Sequence, residues 1–240
     1  MKLTQTTYLD GEGREYMREC LEQAFRWCRE QSIQKLVIFT GTGEGPVFAV
    51  ERLLPETPSL KLIAVTPPVG KRFREDPTSS ESRVVTAGPS LALREFLRSF
   101  GVSVVSAQLP FKPLAQVHSE WATVEKAYGI LGGGFALCVQ AALVACDAGE
   151  LRVGERVAVA SADTAIVVRA TRTEAILSPS EGLLVEHIIC RPSRYSISKP
   201  EHIAYRVSPK NEERQTAPRP DAMVLRHKSS KGGSGGGPAT

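Results

Sequence analysis

The chain has no Cys-x-x-Cys pair. That pattern argues against a zinc site, and no metal is expected. No apolar run reaches the roughly 18 residues that a spanning helix needs. No charged-then-apolar leader opens the sequence. We therefore expect a soluble, cytoplasmic protein with no membrane partner. No Ser/His/Asp or Cys/His constellation can be assembled, so no catalytic residue is assigned.

Net charge is also scarce, apart from the C-terminal stretch. From Tyr205 to Thr240, seven Lys/Arg stand against three Asp/Glu, which accounts for the whole net charge of +4. The remainder is close to neutral, which argues against a nucleic-acid-binding face. The last residues are rich in Pro, Gly, Ser and basic side chains and lack hydrophobic periodicity. We expect a disordered basic tail over 196–240, either solvated or touching an acidic partner. Residues 1–195 are expected to form one α/β domain. At 42% hydrophobic content the chain has enough apolar side chains for a real core.

The five cysteines fit that core. Cys20 and Cys28 are eight residues apart, as are Cys138 and Cys146, and both pairs fall on apolar helical faces. With Cys190 they read as buried, reduced thiols.

The stretch that organises the chain is 33–54, IQKLVIFTGTGEGPVFAVERLL. It reads as a buried strand over 35–40, a loop of small residues over 41–45, and a helix from Pro46 to Leu54. Proline at a first helical position is harmless, because the N–H it lacks has no partner there. The loop suits a phosphate. Small residues let backbone N–H groups approach, and a helix N-terminus adds partial positive charge. The plain alternative is an ordinary strand-to-helix turn, since GTGEG is neither a Walker loop nor a dinucleotide fingerprint.

Elsewhere the pattern is regular. A short strand or coil over 1–10 leads into a helix over 13–31, with Met17, Cys20, Leu21, Ala24, Phe25 and Cys28 on its buried stripe. Arg14 lies off that stripe. The apolar run 60–66 is a second strand, parallel to the first through a βαβ unit. A polar loop over 67–82 follows, and 83–86 reads as a short strand. Lys71, Arg72 and Arg74 in that region either reach a phosphate or are simply solvated. Ser90 caps a helix over 91–100 whose Leu91, Phe96, Leu97 and Phe100 face inward, and Gly101 ends it. A strand is expected over 102–107. Pro110 and Pro113 suggest a loop before a helix over 117–128. Gly132, Gly133 and Gly134 are an anion-accepting turn or a flexible link. The helix over 135–148 is apolar nearly all round and so should be buried. Strands over 156–160 and 164–170 form a hairpin around Asp163, and 185–190 is the last strand. His187, in that apolar strand, reads as structural.

Two blocks of this pattern resemble a known family, the stand-alone proteins similar to the C-terminal α/β domain of pyruvate kinase. The first is LVIFTGTGEGPVFAVERLLPETPSLKLIAVT at 36–66. The second is GGGFALCVQAALVACDAGELRVGERVAVASADTAIVVRATRT at 132–173, followed by LLVEHIICRPSR at 183–194. The resemblance covers roughly 8–194. It implies a three-layer α/β/α fold, with a mainly parallel sheet that is antiparallel at its final strands. It also implies a small phosphorylated ligand or nucleotide, with flavin mononucleotide (FMN) the named cofactor candidate. No counterpart of the catalytic barrel is expected, hence no pyruvate kinase activity. By position the resemblance assigns Thr40, Gly41, Thr42, Gly43 and Gly45 to the phosphate, with Asp163 and Thr164 on the facing turn.

Three local features depart from the family pattern. Only Ala160, Ser161 and Ala162 precede Asp163, where the family has a longer glycine-rich loop. Glu44 opposes a phosphate unless it points away. Pro46 removes one donor N–H. Alternatives to a binding domain are a flavin- or phosphometabolite-dependent enzyme, and a regulatory or interaction protein with a degenerate site. A homo-oligomer is compatible with the sequence.

Overall fold

The computed structural model describes residues 4–74 and 84–195. The chain divides into the units Met1–Ala204 and Tyr205–Thr240, and the second lies outside the described residues, as does the tail expected over 196–240. Among the described residues no helix is long and apolar enough to cross a membrane.

The first unit is a three-layer α/β/α fold around a seven-stranded sheet. Its strands are β1 (Thr7–Leu9), β2 (Lys35–Phe39), β3 (Lys61–Thr66), β6 (Ser103–Ser106), β7 (Arg156–Ala160), β8 (Ala165–Arg169) and β9 (Leu184–Pro192). Strands β4 (Arg72–Arg74) and β5 (Val84–Thr86) form a separate antiparallel pair. Part of the stretch expected as polar loop is therefore strand. The order across the large sheet is β1-β9-β8-β7-β2-β3-β6. All neighbours are parallel except β7/β8 and β8/β9. Two reversals return β9 to the common direction, so β8 alone runs against the sheet. β1 then joins β9 in parallel at the edge.

Alternation along the strands feeds two cores. Leu36 and Ile38 point into one and Val37 into the other. Burying a side chain of this size contributes about 1.5–3 kcal/mol. Helices α1 (Met17–Glu30) and α3 (Leu91–Ser99), with the segment beginning at α2 (Glu44–Phe48), cover the first face. Helices α4 (Phe111–Val117), α5 (Glu120–Gly129) and α6 (Gly133–Asp147) belong to the second. Eleven of the 15 residues of α6 are buried, as an all-round apolar helix requires. Its outer side is closed by aromatics: Phe111 stacks on Tyr128 at 5.6 Å, and Tyr128 on Phe135 at 6.0 Å.

Several expectations need correction. α4 occupies residues read as a proline loop. Pro110 is its N-cap and Pro113 lies in its first turn, where no intrahelical N–H is required. α2 begins at Glu44, two residues before Pro46, for the same reason. Beyond Phe48 the helical path widens into a π-turn, with the Leu54 N–H on the Ala49 carbonyl, and then tightens over Leu54–Glu56. In α3, the Ser90 hydroxyl accepts from the Leu93 N–H at 3.3 Å, as a cap should. Leu97 is buried, but Leu91 is 71% exposed and Phe100 47% exposed. Leu91 is the first residue of the helix and lies off the stripe that buries Leu97. All five cysteines are buried and unpaired by disulfides. His187 stacks on Trp27 of α1 at 4.1 Å, and burial, with Arg156 nearby, lowers its pKa.

Candidate functional site

The sheet order places two loops side by side. The chain runs β2, β3, β6 in one direction and then returns to lay β7 on the other side of β2. Ile38 is in register with Ala160, so β2 and β7 end together. The loop 40–45 and the turn 161–164 leave that common edge as neighbours. This is the switch point of strand order, where open α/β sheets take ligands. Because β1 is parallel and on the same sheet, the segment after it crosses this edge too.

A cavity of about 180 Å³ lies there, lined by Thr40, Gly41, Thr42, Glu44 and Gly45, by Ser161 and Ala162, and by Arg14 before α1. Its apolar wall includes Met17, Phe39, Val85 and Leu137. Gly43, Asp163 and Thr164 do not line it.

The glycines have steric duties. Gly43 has φ of 104°, in the left-handed region, and a Cβ there would stand 2.8 Å from Leu93 Cδ2. A Cβ on Gly45 would meet Ile38 Cγ2 at 3.3 Å and Met17 Sδ at 3.5 Å, so this glycine lets the helices pack closely. Thr40 folds the loop, its hydroxyl accepting from the Gly43 N–H at 2.9 Å. The Gly41 carbonyl accepts from the Gly88 N–H at 2.8 Å. The N–H groups of Gly41, Thr42, Glu44 and Gly45 have no partner among the described residues. Thr42 is the predicted residue with a side chain in the cavity and no hydrogen bond to a described residue.

The facing turn is built from inside. Asp163 Oδ2 accepts from the Gly13 N–H at 2.7 Å, and Oδ1 from the Thr164 hydroxyl at 2.9 Å. Both residues are buried. Gly134 lies against them: a Cβ there would stand 2.1 Å from Asp163 Oδ1, 2.5 Å from Thr164 Oγ1 and 2.7 Å from Ser161 Oγ. The first turn of α6 thus receives the protein's own carboxylate. The glycine run read as an anion-accepting turn or a link has an internal anion at its helix end, in keeping with the dipole. Buried thiols support the turn from below. Cys138 donates to the Thr164 carbonyl at 3.2 Å and Cys20 to the Ser161 carbonyl at 3.6 Å. A Cys190 hydrogen bond and burial together raise the Cys20 pKa well above its usual value, so it stays a thiol.

Arg14 and Glu44, which both line the cavity, form an ion pair with their side chains about half exposed. Glu44 is directed at this arginine, which the spacing of the loop alone does not reveal. The sequence marks Arg14 only as a residue off the helix stripe. Its position directly after Gly11–Gly13 is the available signal. Ser161 and Ala162, read only as the short approach to Asp163, form the wall itself. Lys71 and Arg72 are exposed and do not line the cavity.

The donors present suit a phosphate: a guanidinium, a threonine hydroxyl and unpaired amides. At about 180 Å³ the cavity is below the roughly 300–1,000 Å³ of sites that enclose drug-sized ligands. That volume is large enough for a phosphate group and too small to enclose a whole FMN molecule. Comparison with known proteins found no matching family model and no matching curated protein.

Proposed function

We propose that this chain binds a small phosphorylated ligand or nucleotide at the cavity between loop 40–45 and turn 161–164. The carrying observation is the convergence, at the strand-order switch point, of Arg14, Thr42 and unpaired loop amides on one concave surface. The resemblance to the pyruvate kinase C-terminal domain supports the same location. FMN is the named candidate. When bound, FMN would supply redox chemistry; the residues described here would hold its phosphate. We assign no reaction.

The test starts with an absorbance spectrum and a mass spectrum of protein purified without added ligand. Titration with FMN and with sugar bisphosphates follows, read by thermal shift. A shift in wild type that disappears in Thr42→Asp supports the reading. No bound ligand and no shift with either class would refute it.

One observation favours a second reading, an interaction or regulatory protein that kept the fold. Gly43, Gly45 and Asp163 each have a packing or hydrogen-bonding task that preserves them without any ligand. The same titration separates the two, since this reading expects no shift.

A further inference from the structure

The pair Arg14–Glu44 leads beyond the location of the site to the class of ligand it selects. We infer that Glu44 is a built-in competitor for the ligand's anionic group, and that Arg14 is the cation for which both compete. This inference rests on reading the cavity as a binding site.

Three observations carry it. Both residues line the cavity, and their side chains form an ion pair. They come from different elements: Arg14 from the turn before α1, Glu44 from the first residue of α2. Their side chains are 53% and 45% exposed, so water reaches both. An ion pair this exposed is held by a factor of only about five or less over its separated state. Glu44 therefore keeps the guanidinium turned toward the cavity but yields it to a stronger partner.

The chemistry of the exchange defines that partner. A carboxylate ligand carries one negative charge, as Glu44 does, so replacing one by the other gains little. A terminal phosphomonoester carries about 1.5–2 negative charges near neutral pH and three acceptor oxygens. The planar guanidinium matches two of those oxygens at once. The loop amides of Gly41 and Thr42 lie beside the same space. The Arg14–Glu44 pair thus selects phosphomonoesters over carboxylates and phosphodiesters, each of which carries a single charge. On release, Glu44 turns toward solvent while remaining in the first turn of α2, where a negative charge is favourable.

The experiment measures dissociation constants for inorganic phosphate, FMN and acetate by calorimetry. It uses wild type, Glu44→Gln and Arg14→Gln, with circular dichroism showing that each variant is folded. The expected result has four parts. Wild type binds FMN and phosphate but not acetate. Glu44→Gln binds FMN and phosphate about fivefold more tightly, matching the strength of the lost competitor. Glu44→Gln also gains measurable acetate binding. Arg14→Gln loses at least tenfold for both phosphate compounds.

If wild type binds FMN but Glu44→Gln binds it no more tightly, the competitor is refuted while the binding site stands. The competitor is refuted in the same way if Arg14→Gln binds FMN as wild type does. If neither wild type nor Glu44→Gln binds FMN or phosphate, the competitor and the binding site are refuted together.

Discussion

Replacing Gly134 by alanine sets two effects of opposite sign against each other. In a helix, alanine is favoured over glycine by up to about 1 kcal/mol, so on propensity alone Gly134→Ala stabilises. The packing predicts otherwise. The new Cβ would stand 2.1 Å from Asp163 Oδ1, 2.5 Å from Thr164 Oγ1 and 2.7 Å from Ser161 Oγ. None of the three is the tip of a long flexible chain. Asp163 is tied to the Gly13 N–H, and Ser161 to the Thr164 carbonyl through both its N–H and its hydroxyl. Overfilling a packed site costs about 1–3 kcal/mol. Moving Asp163 away also breaks its hydrogen bond to Gly13, and bonds to a charged group are worth about 1.5–3 kcal/mol. Set against the propensity gain, the expected net loss is about 3 kcal/mol. For a domain of this size that lowers Tm by roughly 6–12 °C. Urea unfolding followed by circular dichroism measures it, with the slope m unchanged if the folded state stays compact. Ala136→Gly on the same helix, at a half-buried position with no such close contact, reports mainly propensity and should cost about 1 kcal/mol. A Gly134→Ala protein as stable as wild type, or more so, would refute the account of the 161–164 turn.

Alkaline unfolding should be steep. Burial pushes the Cys28 thiol up to about 12, and Cys20 and Cys138 are also raised well above 9.0. Their contribution to stability is whole below the unfolded thiol pKa and is lost as pH rises toward the folded values. Each thiol held protonated costs about 1.4 kcal/mol per pH unit above roughly pH 9, so the three together cost about 4 kcal/mol per unit. Thiolate absorbance should therefore appear together with loss of circular dichroism; thiolates forming in an intact fold would contradict this. At the acid end, burial pushes the Glu186 carboxyl up, but Arg156 and Arg169 outweigh it and hold the pKa below its usual 4.5. Its stabilisation is present above that value and is lost as pH falls through the lowered one. Because the group is partly solvated, Glu186→Gln should cost no more than about 1 kcal/mol at pH 7. The difference from wild type should vanish in acid; a difference unchanged down to the acid transition would contradict the ion-pair account.

Local patterns carried much of the fold. The apolar runs of β2 and β3 with a helix between them read directly as a parallel βαβ unit. The all-round apolar α6 read as buried, and Ser90 as a cap. Proline misled where its position in a helix mattered more than its presence, as at Pro113 and Pro46. The candidate site was legible as a loop but not as a surface. Gly41, Thr42 and their neighbours read as a small-residue turn between strand and helix, yet nothing local indicated that Asp163 would serve Gly13, 150 residues away in sequence.

The sequence by itself determined where most of the strands and helices form, because alternation, apolar stripes and caps act over a few residues. Tertiary structure alone decided what faces the cavity. The return of the chain to place β7 beside β2, and of β1 beside β9, brought Arg14 to Glu44 and seated the Asp163 carboxylate at α6. Those contacts depend on strand order and register across the whole sheet, which no short window of residues contains.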